Sequence, residues 1–109
     1  SDAGFLSEEC KKFIQNYNNI VIMGAGHYAD WFSTQLENNS IPYQGFVVSN
    51  DQENVTIFKN KPVYKFADLP YKLQNTGVII AIAWDKWDEI IQSVQKNGVI
   101  HYMTPFLIE

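Results

Sequence analysis

Apolar residues recur at helical spacing in three parts of the chain, residues 7–17, 28 to about 37 and 86–97. Ser7 is a suitable N-cap for the first of these segments, and the two glutamates that follow it suit the positive end of a helix dipole. A short helical piece, interrupted by proline, is expected at residues 66–73. The spacing therefore predicts three amphipathic helices, each burying one face.

Continuous apolar runs lie between the predicted helices. The clearest are NIVIMG, residues 19–24, and GVIIAIA, residues 77–83. Strands that are apolar throughout are typical of a parallel sheet covered on both faces. Shorter strands are predicted at YQGFVVS, KPVYKF and VIHYM, which are residues 43–49, 61–66 and 99–103, and the polar residues 49–60 are predicted to form a loop.

The alternation of strands and helices predicts an α/β fold. It indicates a parallel sheet of about five strands, with right-handed crossovers and helices on both faces. The simplest strand order is 3-2-1-4-5, that of a small doubly wound, Rossmann-like sheet, where ligands bind beyond the carboxyl ends of the strands. We expect a single such domain over residues 1–109, with an N-terminal helical region at 1–18 and a nucleotide-binding-like core at 19–109.

The composition is typical of a packed domain and argues against several classes of partner. The chain is 46% hydrophobic and 15% aromatic, and the lone Cys10 has the spacing of a buried helix residue. A net charge of −4 gives no basic surface for nucleic acid. The apolar runs are shorter than the roughly 20 residues of a membrane span, and no signal peptide opens the chain. We therefore expect a cytoplasmic protein without membrane insertion, and the missing initial Met indicates a fragment of a longer protein.

A glycine-rich turn follows the first predicted strand and opens the second predicted helix. Residues 24–29, GAGHYA, match the pattern G-x-G-x-x-G/A. Gly24 would allow the tight turn, Gly26 the approach of a pyrophosphate, and Ala29 close packing of the helix on the sheet. The alternative is a strand-to-helix corner that binds nothing. The candidate ligand-binding residues of this turn are Gly24, Ala25, Gly26, His27 and Tyr28.

Four further candidates lie at the ends of other predicted strands. A ribose-binding acid is expected after the second strand, where the sequence has Ser49, with Asp51 two residues later. Asp51 would bind ribose or, alternatively, form a solvated turn. Trp84 and Asp85 follow the fourth strand and would overlook the same crevice. Trp84 could stack on a base, whereas Asp85 also suits the N-cap of the last helix. A nucleotide sugar or an NAD(P)-like dinucleotide would suit such a site.

Residue sets for catalysis or metal binding are missing from the sequence. The two histidines, His27 and His101, lie in different elements without nearby ligands, and His101 is expected to pack inside an apolar strand. There is no G-x-S-x-G turn, and the glycine turn lacks the Gly-Lys-Ser/Thr of a P-loop. We therefore predict no catalytic residue and no metal site in this chain.

Residues 19–106 resemble a known module. The segments VIMGAG, GFVVS, KPVYKFADLP, VIIAIA and TPF, in this order, are similar to the Rossmann-like N-terminal domain of bacterial sugar acetyltransferases and to related nucleotide- or CoA-binding-like domains of polysaccharide-biosynthesis enzymes. The resemblance implies that the domain helps to hold a nucleotide sugar while another domain completes the chemistry. Family members often have Gly at positions 27 and 29 and Asp at position 49, where this chain has His27, Ala29 and Ser49.

These observations give a first functional hypothesis and two alternatives. The chain is expected to be a noncatalytic nucleotide- or nucleotide-sugar-binding domain of an enzyme, expected to be a transferase, of surface-polysaccharide or glycoconjugate biosynthesis. The departures from the family pattern leave open an alternative, a degenerate module that docks a transferase domain or associates with itself. A small NAD- or SAM-dependent enzyme is the third hypothesis, and it lacks a general base with a partner.

Overall fold

Three helices and a six-stranded, mostly parallel sheet make up the computed structural model, which describes residues 6–51 and 55–105. This combination of helices and a mostly parallel sheet confirms the predicted α/β class. Parts of the predictions lie outside the described residues. They are the start of the N-terminal region at 1–5, the middle of the loop at 52–54, and the end of the domain at 106–109, which includes the last residue of the TPF motif. The helices are α1 (Glu8–Gln15), α2 (His27–Asn38) and α3 (Trp87–Lys96). The strands are β1 (Asn19–Met23), β2 (Gly45–Val48), β3 (Ile57–Phe58), β4 (Lys61–Lys65), β5 (Thr76–Ile80) and β6 (Tyr102–Met103).

The sheet contains one strand more than predicted, so its order differs from 3-2-1-4-5. The observed order is β3-β4-β2-β1-β5-β6, in which β3 is antiparallel to β4 and the other neighbours are parallel. The extra strand lies in the polar stretch 49–60 that was predicted to be a loop. Lys59 and Asn60 join β3 to β4 with positive φ angles of 52° and 66°, a backbone conformation that suits a two-residue hairpin turn. Without β3, the parallel strands run β4-β2-β1-β5-β6.

Successive residues of the central strand β1 face opposite sides of the sheet. Ile20 and Ile22 belong to the core that includes residues of α1 and α2, whereas Val21 and Met23 belong to the core that includes Val94 of α3. The helices therefore lie on both faces, as predicted. None of the helices formed by the described residues is long and apolar enough to cross a membrane.

The N-terminal helix packs as its sequence pattern predicts. The Ser7 hydroxyl accepts a hydrogen bond of 3.0 Å from the backbone N–H of Cys10, which confirms the predicted N-cap. Cys10 is 1% exposed, and this burial raises the pKa of its thiol to about 11. Beyond the helix, the Tyr17 ring lies 4.6 Å from the ring of His101, so His101 is a packed histidine as predicted. The strand predicted at 99–103 forms only at Tyr102–Met103, so His101 precedes the strand instead of lying inside it.

Candidate functional site

A cavity of about 380 Å³ lies at the carboxyl ends of β1, β2 and β5. Met23, the last residue of β1, pairs with Val47 of β2 on one side and with Ile80 of β5 on the other. The chain leaves β1 between these two neighbours, and a doubly wound sheet binds ligands at such a point. The cavity walls come from the β1–α2 turn, the end of β2, Val55 and the β5–α3 loop.

Gly24, the first glycine of the turn, holds the turn close to the end of the sheet. The Gly24 N–H donates a hydrogen bond of 2.9 Å to the Val47 carbonyl, and its φ of +123° is a conformation that L side chains rarely adopt. A Cβ at this position would lie 2.9 Å from the Ala81 carbonyl oxygen and 3.2 Å from Cγ1 of Ile82. A side chain at position 24 would therefore both strain the turn and push β5 away from β1.

The second glycine leaves open space at the start of α2. Gly26 is the N-cap of α2 and has an extended backbone, with φ −121° and ψ −150°, that other residues adopt readily. A Cβ built on it meets no atom within 4 Å, and no side chain caps the helix. Ala29, one turn further on, is fully buried, so the start of α2 lies close to the sheet. The first turn of α2 thus faces the cavity without a capping side chain.

Six of the nine predicted ligand-binding residues line this cavity together. His27 and Tyr28 are exposed, and their rings make an edge contact with centroids 5.7 Å apart. Ser49 is half-buried at the end of β2, in the place of the expected acidic residue. The six residues are Gly24, Ala25, Gly26, His27, Tyr28 and Ser49.

The other three predicted residues do not line the cavity. Asp51 is exposed in the turn after β2, and Trp84 is 66% exposed. Asp85 caps no helix, so the predicted N-cap is wrong: the N-cap residue of α3 is Lys86, which makes no capping side-chain hydrogen bond. The reason is a 3₁₀ turn, Trp84–Lys86, that precedes α3 and places Asp85 inside the turn instead of before the helix.

Lys86 also lines the cavity, and the sequence pattern did not predict it there. It carries the only permanent charge among the described residues that line the cavity. Its neighbour Trp87 fixes the loop from β5 to α3, because the indole N–H donates a hydrogen bond of 2.8 Å to the Ile82 carbonyl. The place of Lys86 in the chain could have indicated that it lines the cavity. The loop that carries it follows β5, which is adjacent to β1, and such a loop borders the crevice at the carboxyl ends of the strands.

A polar network fixes α2 to the β3–β4 hairpin. The Lys59 ammonium lies 3.1 Å from Oδ1 of Asp30 and donates a hydrogen bond of 2.6 Å to the Ser33 hydroxyl. It also lies 3.6 Å from Oε1 of Glu37, whose other carboxylate oxygen accepts a 2.6 Å hydrogen bond from Tyr43. Burial, and then the contact with Glu37, raises the pKa of the Tyr43 hydroxyl. The helix that begins at the cavity is therefore fastened along its length to the sheet edge.

A second cavity of about 280 Å³ lies beside the end of β4. Val55 borders both cavities, and Lys65 and Asp68 give the second one polar walls. Among residues 6–51 and 55–105, no group of three or more His, Cys, Asp or Glu side chains could hold a metal ion.

Comparison of the chain with protein-family models, with curated proteins and with solved structures finds no match. The resemblance to the N-terminal domain of sugar acetyltransferases therefore stays a prediction.

Proposed function

We propose that this chain is a noncatalytic domain that binds a nucleotide or a nucleotide sugar, and that the cavity beyond β1 receives the diphosphate. The observation that carries the proposal is the open space at Gly26. An anion fits there against the first turn of α2, which no side chain caps. Backbone N–H groups and the helix dipole both favour negative charge at such a position.

The size and the walls of the cavity support the same ligand class. Its volume of about 380 Å³ lies within the range of small-molecule sites, and its walls combine apolar side chains with a few polar groups. Val48 and Ile90 supply apolar surface, and Ser49 and Lys86 supply polar groups. A diphosphate at the glycine turn would leave its nucleoside or sugar over this mixed surface.

The proposal includes a longer protein of which this chain is one domain. That protein would be a cytoplasmic transferase of surface-polysaccharide or glycoconjugate assembly. The support is the order of the sequence segments over residues 19–106, which resembles that of domains attached to such enzymes. The catalytic groups would lie in another domain, since this chain would only hold the ligand.

Calorimetric titration with UDP, a UDP-sugar, NAD, NADP, CoA and SAM tests the proposal. We expect UDP and the UDP-sugar to bind, and the Gly26→Val variant to weaken that binding by about tenfold or more, because its side chain fills the anion position. Ala67→Val is the control, because it introduces a β-branched valine at an exposed position outside the cavity. If none of the six compounds binds the wild-type chain, the proposal is wrong.

A docking module is the second candidate function, and exposed apolar side chains favour it. Ile57, Ile100 and Trp84 are 69%, 63% and 66% exposed. Ile57, in β3, and Ile100, just before β6, lie at opposite edges of the sheet, so each would belong to a separate contact surface. Exposed apolar surface marks association sites where it is contiguous. Light scattering at increasing protein concentration measures self-association. A rising mass together with a flat response to every nucleotide supports docking in place of ligand binding.

A further inference from the structure

We propose that Lys86 binds the second phosphate of the ligand, so that the cavity selects diphosphates over monophosphates. This inference rests on the proposed function, in which the cavity receives the diphosphate of the ligand. It adds a binding residue from the β5 side of the cavity and assigns the two phosphates to different groups, the first to the glycine turn and the second to Lys86.

The loop that carries Lys86 begins in direct contact with the glycine turn. The Ala81 N–H donates a hydrogen bond of 3.0 Å to the Met23 carbonyl, immediately before Gly24. The Ala81 carbonyl lies so close to Gly24 that a Cβ there would approach it to 2.9 Å. From this contact the chain passes through Ile82 and Ala83 to Lys86, all three of which line the cavity. The glycine turn and Lys86 therefore face one space from the β1 side and the β5 side.

The charge of Lys86 is available to a ligand. Lys59 is paired with Asp30 and Glu37, and Lys11 with Glu8. Four other lysines of the described residues also make neither an ion pair nor a side-chain hydrogen bond, and Lys86 differs from them because it lines this cavity. Within the described part of the chain, neither an ion pair nor a hydrogen bond engages the Lys86 ammonium. The chain as a whole has a net charge of −4. The ammonium of Lys86 therefore places a local positive charge in the cavity wall, and this charge attracts an anion.

Trp87 is the positioning residue for this lysine. Its indole N–H holds the Ile82 carbonyl at 2.8 Å, and the Lys86 N–H donates a 3.0 Å hydrogen bond to the Ala83 carbonyl. These two hydrogen bonds join the start of the loop between β5 and α3 to its end. The backbone of Lys86 is thus fixed, and only its flexible side chain needs to order when a ligand binds.

Titration with UDP and with UMP tests whether Lys86 binds the second phosphate only. The titrations use the wild type, Lys86→Met and Lys96→Met. We expect Lys86→Met to weaken UDP binding by about tenfold, the size of one charge-assisted hydrogen bond, and UMP binding by less than about twofold. Lys96→Met is the matched control, because it changes a lysine in the last turn of the same helix, outside the cavity, and both constants should stay unchanged. Equal losses for UDP and UMP, or no loss for either, would overturn the inference.

Trp87→Phe tests the positioning role. The variant keeps an aromatic ring but loses the N–H donor, so UDP binding should weaken severalfold while UMP binding changes little. In the double variant with Lys86→Met, the Trp87→Phe change should add no further loss, since both act through the same ammonium. Losses that simply add, or that affect UMP equally, contradict the positioning role.

Failure of this inference is distinguishable from failure of the proposed function. If UDP binds and Gly26→Val removes the binding, but Lys86→Met leaves it intact, the cavity holds its ligand without Lys86. If UDP does not bind the wild-type chain at all, this inference is overturned. The proposed function is wrong only if none of the six compounds binds.

Discussion

An aspartate at the N-cap of α2 should stabilise the fold and prevent ligand binding at the same time. The change is Gly26→Asp. Gly26 already has the extended backbone of an N-cap residue, and a Cβ there meets no atom within 4 Å. The new carboxylate can therefore accept a hydrogen bond from the first turn of the helix without displacing any protein group.

The magnitude follows from three contributions. An aspartate cap exceeds a glycine cap by only a few tenths of a kcal/mol, and the carboxylate gains about 0.3–1 kcal/mol from the helix dipole. Removing a glycine from the unfolded chain contributes about 0.4–1 kcal/mol more. We expect the free energy of unfolding to rise by about 1–2 kcal/mol, which corresponds to an increase in Tm of roughly 5–10 °C for a domain of this size.

Urea denaturation and calorimetry with UDP measure the two effects on one sample. Gly26→Ala is the control for the unfolded-state contribution, because alanine lacks a capping oxygen, and the aspartate variant should be about 1 kcal/mol more stable than it. UDP binding should fall below detection for Gly26→Asp, since the carboxylate occupies the position proposed for a phosphate. A variant that is no more stable than Gly26→Ala, or that still binds UDP like the wild type, would refute the reasoning.

Three further predictions concern the residues around the cavity and in the core. Gly24→Ala should lower the free energy of unfolding by about 1–3 kcal/mol in urea denaturation, because a side chain at φ +123° is strained and meets the Ala81 carbonyl; an unchanged value contradicts the tight-turn role. Lys59→Met should cost about 1–3 kcal/mol in the same assay, since it removes the cation that joins α2 to the hairpin and leaves the half-buried acceptors around it unsatisfied. The pKa of Cys10 is raised from 9.0 to about 11, so the unfolded state loses its proton first and stability should fall as pH rises from 9 to 11; urea denaturation across this range should show the decline in the wild type and a smaller one in Cys10→Ala.

The glycine turn was predictable because its constraints are local. A strand that runs into Gly-Ala-Gly and then a helical pattern leaves few other conformations, and Gly24 has the positive φ that such a turn requires. Burial of both faces of β1 was equally visible in its apolar run. Sequence reasoning succeeded where the cause of the structure lies within about ten neighbouring residues.

The residues that were missed depend on contacts distant in the sequence or on fine backbone geometry. Strand β3 has two residues, and it forms because it pairs with β4 across a hairpin turn in which two non-glycine residues adopt positive φ. Asp85 has the sequence context of a helix cap, but a 3₁₀ turn moves the helix start by one residue, from Lys86 to Trp87. Lys86 looks like a solvated lysine in the sequence, and its place in the cavity wall depends on the hydrogen bond between Trp87 and Ile82.

The two outer strands of the sheet are both short. Strand β3 borders one side and β6 the other, and each spans two residues. An edge strand of this length offers few unpaired backbone groups to a strand of another molecule. Short edge strands are one way in which natural sheets avoid edge-to-edge aggregation. Pairing along β3 or β6 would therefore contribute little to a contact between two copies of this chain that meet edge to edge.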